Sequence, residues 1–277
     1  MKTQPSIVGI QGVRGSYHHQ VARACFGDQV HFWECMSFDR LLQGLFSGQC
    51  EVAVMALENS IAGSILPNYA LIDRTGGKII GEYFLSVQHQ LMGLSGQSLG
   101  QIEEVRSHPM ALLQCQEFLS QYEHIRLVEA DDTAVVAADI ARNSLSGVAA
   151  IASVEAAELN GLEVYASNIQ TIKNNVTRFV LLAREETSSP EHFNKASLKI
   201  TLDHKRGSLA TILNVLSDCR MNLTKIQSLP VIETPGKYAF FIDVTFDSVA
   251  DFQKAKSLLA IMATSLKILG TYSQIHD

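Results

Sequence analysis

Between residues 7 and 184 the chain alternates short β-branched runs with segments whose apolar residues recur at helical spacing. Strands alternating with helices of this length imply mostly parallel sheets covered on both faces. The runs 7–10, 30–34 and 52–55 predict strands, and 16–26 and 38–46 predict helices. An extended stretch over 78–94 follows. Strands are then expected at 104–106, 125–128 and 148–151 and near Val164 and Phe179, with helices at 109–121, 132–142 and 154–159. The polar stretch 185–192, which contains Ser-Ser-Pro, stops the pattern and reads as a linker. Beyond it the order becomes strand 198–202, helix 208–219, strands 223–229 and 238–246, helix 249–263 and strand 266–272. That is a ferredoxin-like βαββαβ unit, with Pro235 and Gly236 supplying the turn of its central hairpin at 233–236. The fold class is therefore α/β in two parts.

Composition narrows the function. At 277 residues the chain is long enough for two domains, and 47% apolar with 18% charged residues argues for packed cores rather than disorder. A net charge of −6 speaks against nucleic acid held on a general basic surface. No apolar run is long enough to span a bilayer, and residues 1–5 carry no signal-peptide pattern. Five scattered cysteines (Cys25, Cys35, Cys50, Cys115, Cys219) lack metal-ligand spacing and suit reduced thiols in a cytoplasmic protein. The expectation is no metal, no cofactor, no membrane and no nucleic acid.

Several segments could carry chemistry. Gly9, Gly12 and Gly15 lie between a strand and a helix at a spacing that is neither a dinucleotide fingerprint nor a Walker loop. Ser16 is a good N-cap there, and the free N–H groups at Ser16 and Tyr17 suit a carboxylate or phosphate, with a merely tight turn the equal alternative. His18 and His19 read as solvated or core histidines. Glu58-Asn59-Ser60 follows a buried strand, where α/β sheets bind ligands, or it simply starts a helix with Asn59 or Ser60 as cap. His108, in Ser107-His-Pro109, is either a general acid or a loop histidine. Arg178, after Thr177, is either a carboxylate clamp or a structural pair.

In order, these segments resemble the motifs of one family. Gly12-Val-Arg-Gly-Ser-Tyr-His18, Glu58-Asn-Ser-Ile-Ala-Gly63, Ser107-His-Pro-Met-Ala-Leu112 with Gln114-Cys115, and Asp132-Thr-Ala-Val-Val-Ala-Ala138 resemble prephenate dehydratases. Ile151-Ala-Ser153, Asn168-Ile-Gln170 and Asn174-Asn-Val-Thr-Arg-Phe179 extend the likeness. His204-Lys-Arg-Gly-Ser-Leu209 and Asn222-Leu-Thr-Lys-Ile226 resemble an ACT domain, the amino-acid-sensing module that follows the catalytic region in this family. The resemblance implies a two-lobed, periplasmic-binding-protein-like catalytic region with a cleft over residues 1–185, a linker at 186–196 and a regulatory ACT domain at 197–277.

It also implies the reaction: decarboxylating dehydration of prephenate to phenylpyruvate in phenylalanine biosynthesis, without metal or organic cofactor. Thr177 carries the essential hydroxyl by family analogy, as a hydrogen-bond donor to the leaving hydroxyl. Asn59, Ser60 and Arg178 complete the catalytic set. Ser16, Tyr17, Glu58, His108 and Phe179 are substrate-contact candidates, Phe179 with core packing as its other reading. Arogenate, the amino-acid analogue, is the alternative substrate, and a non-catalytic amino-acid sensor the alternative class. The effector is L-phenylalanine at Gly207, Leu209, Asn222 and Ser228, in a homodimer or tetramer paired through ACT domains. The family's usual Pro-Gly-Ala-Leu and Glu-Ser-Arg-Pro read here as Arg206-Gly-Ser-Leu209 and Gln227-Ser-Leu-Pro230, which predicts weakened feedback. A chain cut near Ser189 should keep the chemistry and lose regulation.

Overall fold

The computed structural model describes residues 5–185, 193–203, 205–231 and 237–273. The turn at 233–236, His204 and the linker residues 186–192 lie outside the described residues. Strands and helices alternate through β1 (Ile7–Gln11), α1 (Tyr17–Phe26), β2 (His31–Cys35), α2 (Phe38–Ser47) and β3 (Val52–Asn59). Then come the two-residue β4 (Gly63–Ser64), α3 (Leu66–Thr75), β5 (Lys78–Ser86) and β6 (Gln90–Gly93). The next stretch holds β7 (Glu104–Ser107), α4 (Pro109–Gln114), α5 (Gln116–Leu119), β8 (Arg126–Glu129) and α6 (Thr133–Asn143). It closes with β9 (Val148–Ala152), α7 (Val154–Asn160), β10 (Glu163–Ala166) and β11 (Val176–Ala183).

Caps set the helix starts. Ser16, Ser37, Asp132 and Ser153 each accept main-chain N–H groups at the first turns of α1, α2, α6 and α7. Each such cap contributes about 1 kcal/mol. Two sheets follow from the buried runs. The first has the order β2-β1-β3-β11-β5, with β1 parallel to both β2 and β3. The second has the order β10-β6-β9-β7-β8. In it β7 is parallel to β8 and β9, whereas β6 is antiparallel to β9 and β10. The expectation of mostly parallel pairing thus fails at β6. This strand enters the second sheet straight from β5 through residues 87–89, with no crossover helix to turn it parallel. The chain passes between these sheets twice, at 87–89 and again at 167–175, as befits a two-lobed region.

The chain divides into two compact units. One comprises residues 1–63 and 83–179, and the other 64–82 and 180–277, so β5 and β11 each run from one unit into the other. In the second unit β12 (Lys195–Thr201), α8 (Ser208–Asp218), β13 (Asn222–Pro230), β14 (Tyr238–Thr245), α9 (Val249–Met262) and β15 (Ser265–Tyr272) form the βαββαβ element. Its antiparallel sheet has the order β13-β14-β12-β15, over a core that includes Leu198, Ile212, Leu216, Val244, Phe252 and Leu259. Strand β12 begins inside the stretch read as linker, and Phe193 before it packs edge-on against Phe246 and Phe252.

Helix α3 begins at Leu66, several residues beyond the helix start that the alternative reading of Glu58-Asn59-Ser60 places at Asn59 or Ser60. Its N-cap is Ile65, without a side-chain cap, and Pro67 stands in its first turn. The unit to which it belongs holds the segment 64–82 by lysines. Lys199 and Lys267 both reach Asp73, Lys225 donates to Ser64 Oγ at 2.7 Å and Lys78 to Ile268 O at 3.1 Å. Lys195 pairs with Glu82 at 2.7 Å, and both side chains are almost wholly buried. A Cβ on Gly270 would stand 2.0 Å from Ile79 O, so glycine alone lets the two backbones approach this closely.

Candidate active site

At the end of β3 the chain turns and is laced to β11. Ser60 N–H donates to Val176 O at 2.8 Å, and Val176 N–H donates back to Ser60 Oγ at 3.0 Å. Asn59 Oδ1 accepts from the main-chain N–H groups of Ile61 (3.0 Å) and Ala62 (2.8 Å). Those two bonds decide which end of the Asn59 amide is oxygen, because a main-chain N–H can only donate. Asn59 Nδ2 therefore donates to Asn175 Oδ1 at 2.7 Å and to Thr177 Oγ1 at 2.9 Å.

The direction then propagates along the network. Asn175, fully buried, accepts at Oδ1 and so donates through Nδ2 to Gln114 Oε1 at 3.0 Å. Gln114 Oε1 also stands 2.9 Å from His89 Nε2, which must carry the proton. His89 Nδ1 is then the acceptor for the Tyr17 hydroxyl at 2.8 Å, and Gln88 O lies 3.0 Å from the same hydroxyl. The Gln170 side chain fixes the His89 backbone, accepting its N–H at 3.0 Å. Six side chains from α1, α4, β3, β11 and the two inter-sheet crossings thus form one ordered chain.

Two groups are left as donors. Thr177 Oγ1 is occupied as acceptor, so its own proton is available. Gln114 oxygen takes two donors, so its Nε2 protons are available. Among the described residues neither donor has another partner. Burial pushes His89 below the ordinary imidazole value, with the Gln114 bond opposing, so the ring is neutral near pH 7. Burial also raises the Tyr17 phenol, with nearby Cys115 adding to it, and the phenol stays protonated. A cavity of about 480 Å³ is lined by Ile61, Met110, Leu113, Gln114, Glu117 and Ile172, among others. It meets the ordered chain at Gln114 and lies within the range of roughly 300–1,000 Å³ of small-molecule sites.

The other expected residues fall as follows. Ser16 is buried, its Oγ accepting His19 N–H at 3.2 Å and facing Gln11 O at 3.4 Å. Gly12 and Gly15 take φ of +87° and +89°, and a Cβ on Gly15 would meet Ala156 Cα at 2.9 Å. Ser153 Oγ donates to Gly15 O at 2.6 Å. This glycine turn therefore has a packing reason, against the start of α7. His108 is exposed and caps α4 through Nδ1. Arg178 is buried and leaves β11 on the face opposite to Thr177, as alternation requires. Phe179 is in the core, edge-on to His18 at 5.0 Å. His18 accepts Ala56 N–H at Nε2, and burial lowers it to about 3. Glu58 is half-buried at the end of β3. His89 had no motif to announce it, while Gln114 and Asn175 stood inside motifs without a role.

These neutral donors at strand ends and inter-sheet crossings form a candidate small-molecule site, and comparison with known proteins gives the family. The prephenate dehydratase profile matches residues 8–187. Arogenate dehydratase/prephenate dehydratase 2 of Arabidopsis thaliana, a chloroplastic protein, is 36% identical over 277 residues, covering 96% of this chain and 72% of its own. Among solved structures, GqqA, described as a novel type of quorum quenching acylase, gives a TM-score of 0.88 at 27% identity, covering 97% of this chain and 98% of its own. The prephenate dehydratase of Arthrobacter aurescens in complex with L-Phe shares the fold at a TM-score of 0.88 and 24% identity, over 97% and 90% of the two chains. The chain belongs to the prephenate dehydratase family. Among the described residues no helix is long and apolar enough to cross a membrane.

Proposed function

We propose that this protein converts prephenate to phenylpyruvate, carbon dioxide and water in phenylalanine biosynthesis. The ring carboxylate leaves as carbon dioxide, its bonding pair passes into the ring, and the hydroxyl departs as hydroxide that takes a proton from solvent to become water. The observation that carries the reading is the Asn59–Thr177 bond, which leaves the threonine proton free for the departing oxygen. A donor aimed where negative charge develops lowers the barrier more than one aimed at the ground state. Threonine is too weak an acid to transfer its proton unaided, so its part is hydrogen bonding. Ser60 N–H and hydroxyl are spent on Val176 O and Asn174 O, and Ser16 N–H on Val13 O. The Tyr17 N–H at the start of α1 is therefore the contact we assign to a carboxylate, with Arg178 bracing β11.

In this reading residues 1–185 hold the chemistry and 197–277 form the ACT domain, in a cytoplasmic homo-oligomer that responds to L-phenylalanine. Two features support pairing of ACT domains. Strand β13 is a sheet edge, with Leu223 and Ile226 exposed on it. Gly207 caps the N-terminus of α8 while Asn222 lies beyond its C-terminus, about 16 Å along the helix. One copy thus holds these two effector residues apart, and a second copy would bring them together. The L-Phe complex of the Arthrobacter relative agrees with the effector.

The test is purified full-length protein incubated with prephenate, following phenylpyruvate absorbance with and without phenylalanine. Turnover that phenylalanine reduces is expected. Absence of turnover on both prephenate and arogenate, alongside hydrolysis of N-acyl amides, would replace the reading with the activity named for GqqA.

A further inference from the structure

The ordered chain meets the cavity at a single amide, and that amide is oriented from behind. Gln114 is half-buried and lines the cavity, while the two donors on its oxygen, Asn175 Nδ2 and His89 Nε2, come from residues that are 0% and 3% exposed. Reversing the amide would set its NH2 against both donors in a place that water does not reach, leaving each unpaired. The backbone of Ile61 and Ala62 imposes one donor through Asn59 and Asn175. The other depends on which nitrogen of His89 holds the proton.

Tyr17 favours one answer: when its hydroxyl proton points to Nδ1 rather than to Gln88 O, Nδ1 is an acceptor and the ring carries its proton on Nε2, facing Gln114. A charged ring would keep Nε2–H as well, since the Tyr17 proton could turn to Gln88 O. Gln114, Tyr17 and the Gln170 side chain face His89 directly, with Cys115 and Lys173 beyond them. None of these supplies a second acceptor for Gln114.

We propose that His89, set by Tyr17, is a positioning residue that determines substrate specificity. It locks Gln114 with its NH2 toward the cavity, so an oxygen acceptor is welcomed there and an ammonium group, which can only donate, is rejected. Resting on the dehydratase reading, this assigns the site to a keto acid over the corresponding amino acid.

Steady-state kinetics on prephenate and arogenate in parallel test it, with wild type, His89→Leu, His89→Gln and Tyr17→Phe checked for folding by circular dichroism. His89→Leu should lower the prephenate-to-arogenate ratio of kcat/KM about tenfold, the scale of one hydrogen bond. His89→Gln, whose amide can donate where Nε2 did, should restore the ratio. Tyr17→Phe should lower it by a smaller factor, and decides the matter if His89→Leu does not fold. Equal losses on both substrates in every variant, or an unchanged ratio in Tyr17→Phe and His89→Leu, would overturn the proposal. An inactive wild type would instead sink the dehydratase reading, a result that the variants cannot produce.

Discussion

The Asn59 amide nitrogen stands 2.9 Å from Thr177 Oγ1, and its oxygen is held by two main-chain N–H groups, so the threonine can only accept from it. Replacing Asn59 with Asp keeps the shape and the two main-chain bonds but inverts the contact. Thr177 must then donate to the carboxylate, and its proton is withdrawn from the substrate. Asn59→Asp and Thr177→Ala should therefore both lower kcat by about 10²–10³, with the melting temperature of Thr177→Ala near that of wild type. A folded Thr177→Ala protein with wild-type turnover would rule out the assignment.

The Glu82–Lys195 pair makes a stability prediction. Both groups are buried, and removing one partner leaves the other charge stranded, which typically costs about 3–5 kcal/mol. Lys195→Met should lower the urea midpoint strongly, and Lys195→Met with Glu82→Leu should recover much of the loss. Equal midpoints for the single and double variants would contradict this.

His18 makes a prediction about pH. Its folded value is about 3, against an ordinary 6.5 for the unfolded chain. Between those values the unfolded state binds a proton that the folded state refuses, so stability rises with pH across that window and the gain is complete above it. His89, also lowered, adds in the same direction. Urea midpoints measured from neutral to acid pH should fall, and His18→Leu should flatten the slope. An unchanged slope in that variant would assign the acid sensitivity elsewhere.

Edge strand β13 makes the fourth. Placing a charge at exposed Ile226, as in Ile226→Glu, should shift light scattering from oligomer toward monomer and weaken phenylalanine inhibition, with basal turnover kept. An oligomer unmoved by this change would place the interface on another surface.

The elements with strong periodicity were legible in the sequence, and so was the βαββαβ order, because caps and alternation are local. Thr177, Asn59 and Ser60 were legible through motifs, and the structure brings them together at β3 and β11. What stayed hidden depends on long-range partners. His89 sits between two strands with no neighbour in sequence to mark it, and only Tyr17 and Gln114, from distant helices, give it meaning. Helix α3 lacks a side-chain cap and carries Pro67 in its first turn. The expected helix at 109–121 is broken at Cys115, which caps α4 and starts α5.

The lysine-held segment 64–82 bears on how far this protein can be taken apart. The sequence suggests that a cut near Ser189 releases an unregulated enzyme. Yet α3 and the start of β5 lie between Asn59 and His89 in the chain, and they rest on the C-terminal sheet, with buried Tyr69 edge-on to Phe241, Asp73 held by Lys199 and Lys267, and buried Glu82 paired with Lys195. A shortened chain would carry that aromatic ring and those carboxylates, unpaired, into water. It should aggregate or lose activity rather than run free. A sensor grafted from another protein would have to bring its own cradle for that helix, so the two parts can diverge in sequence only as a matched pair.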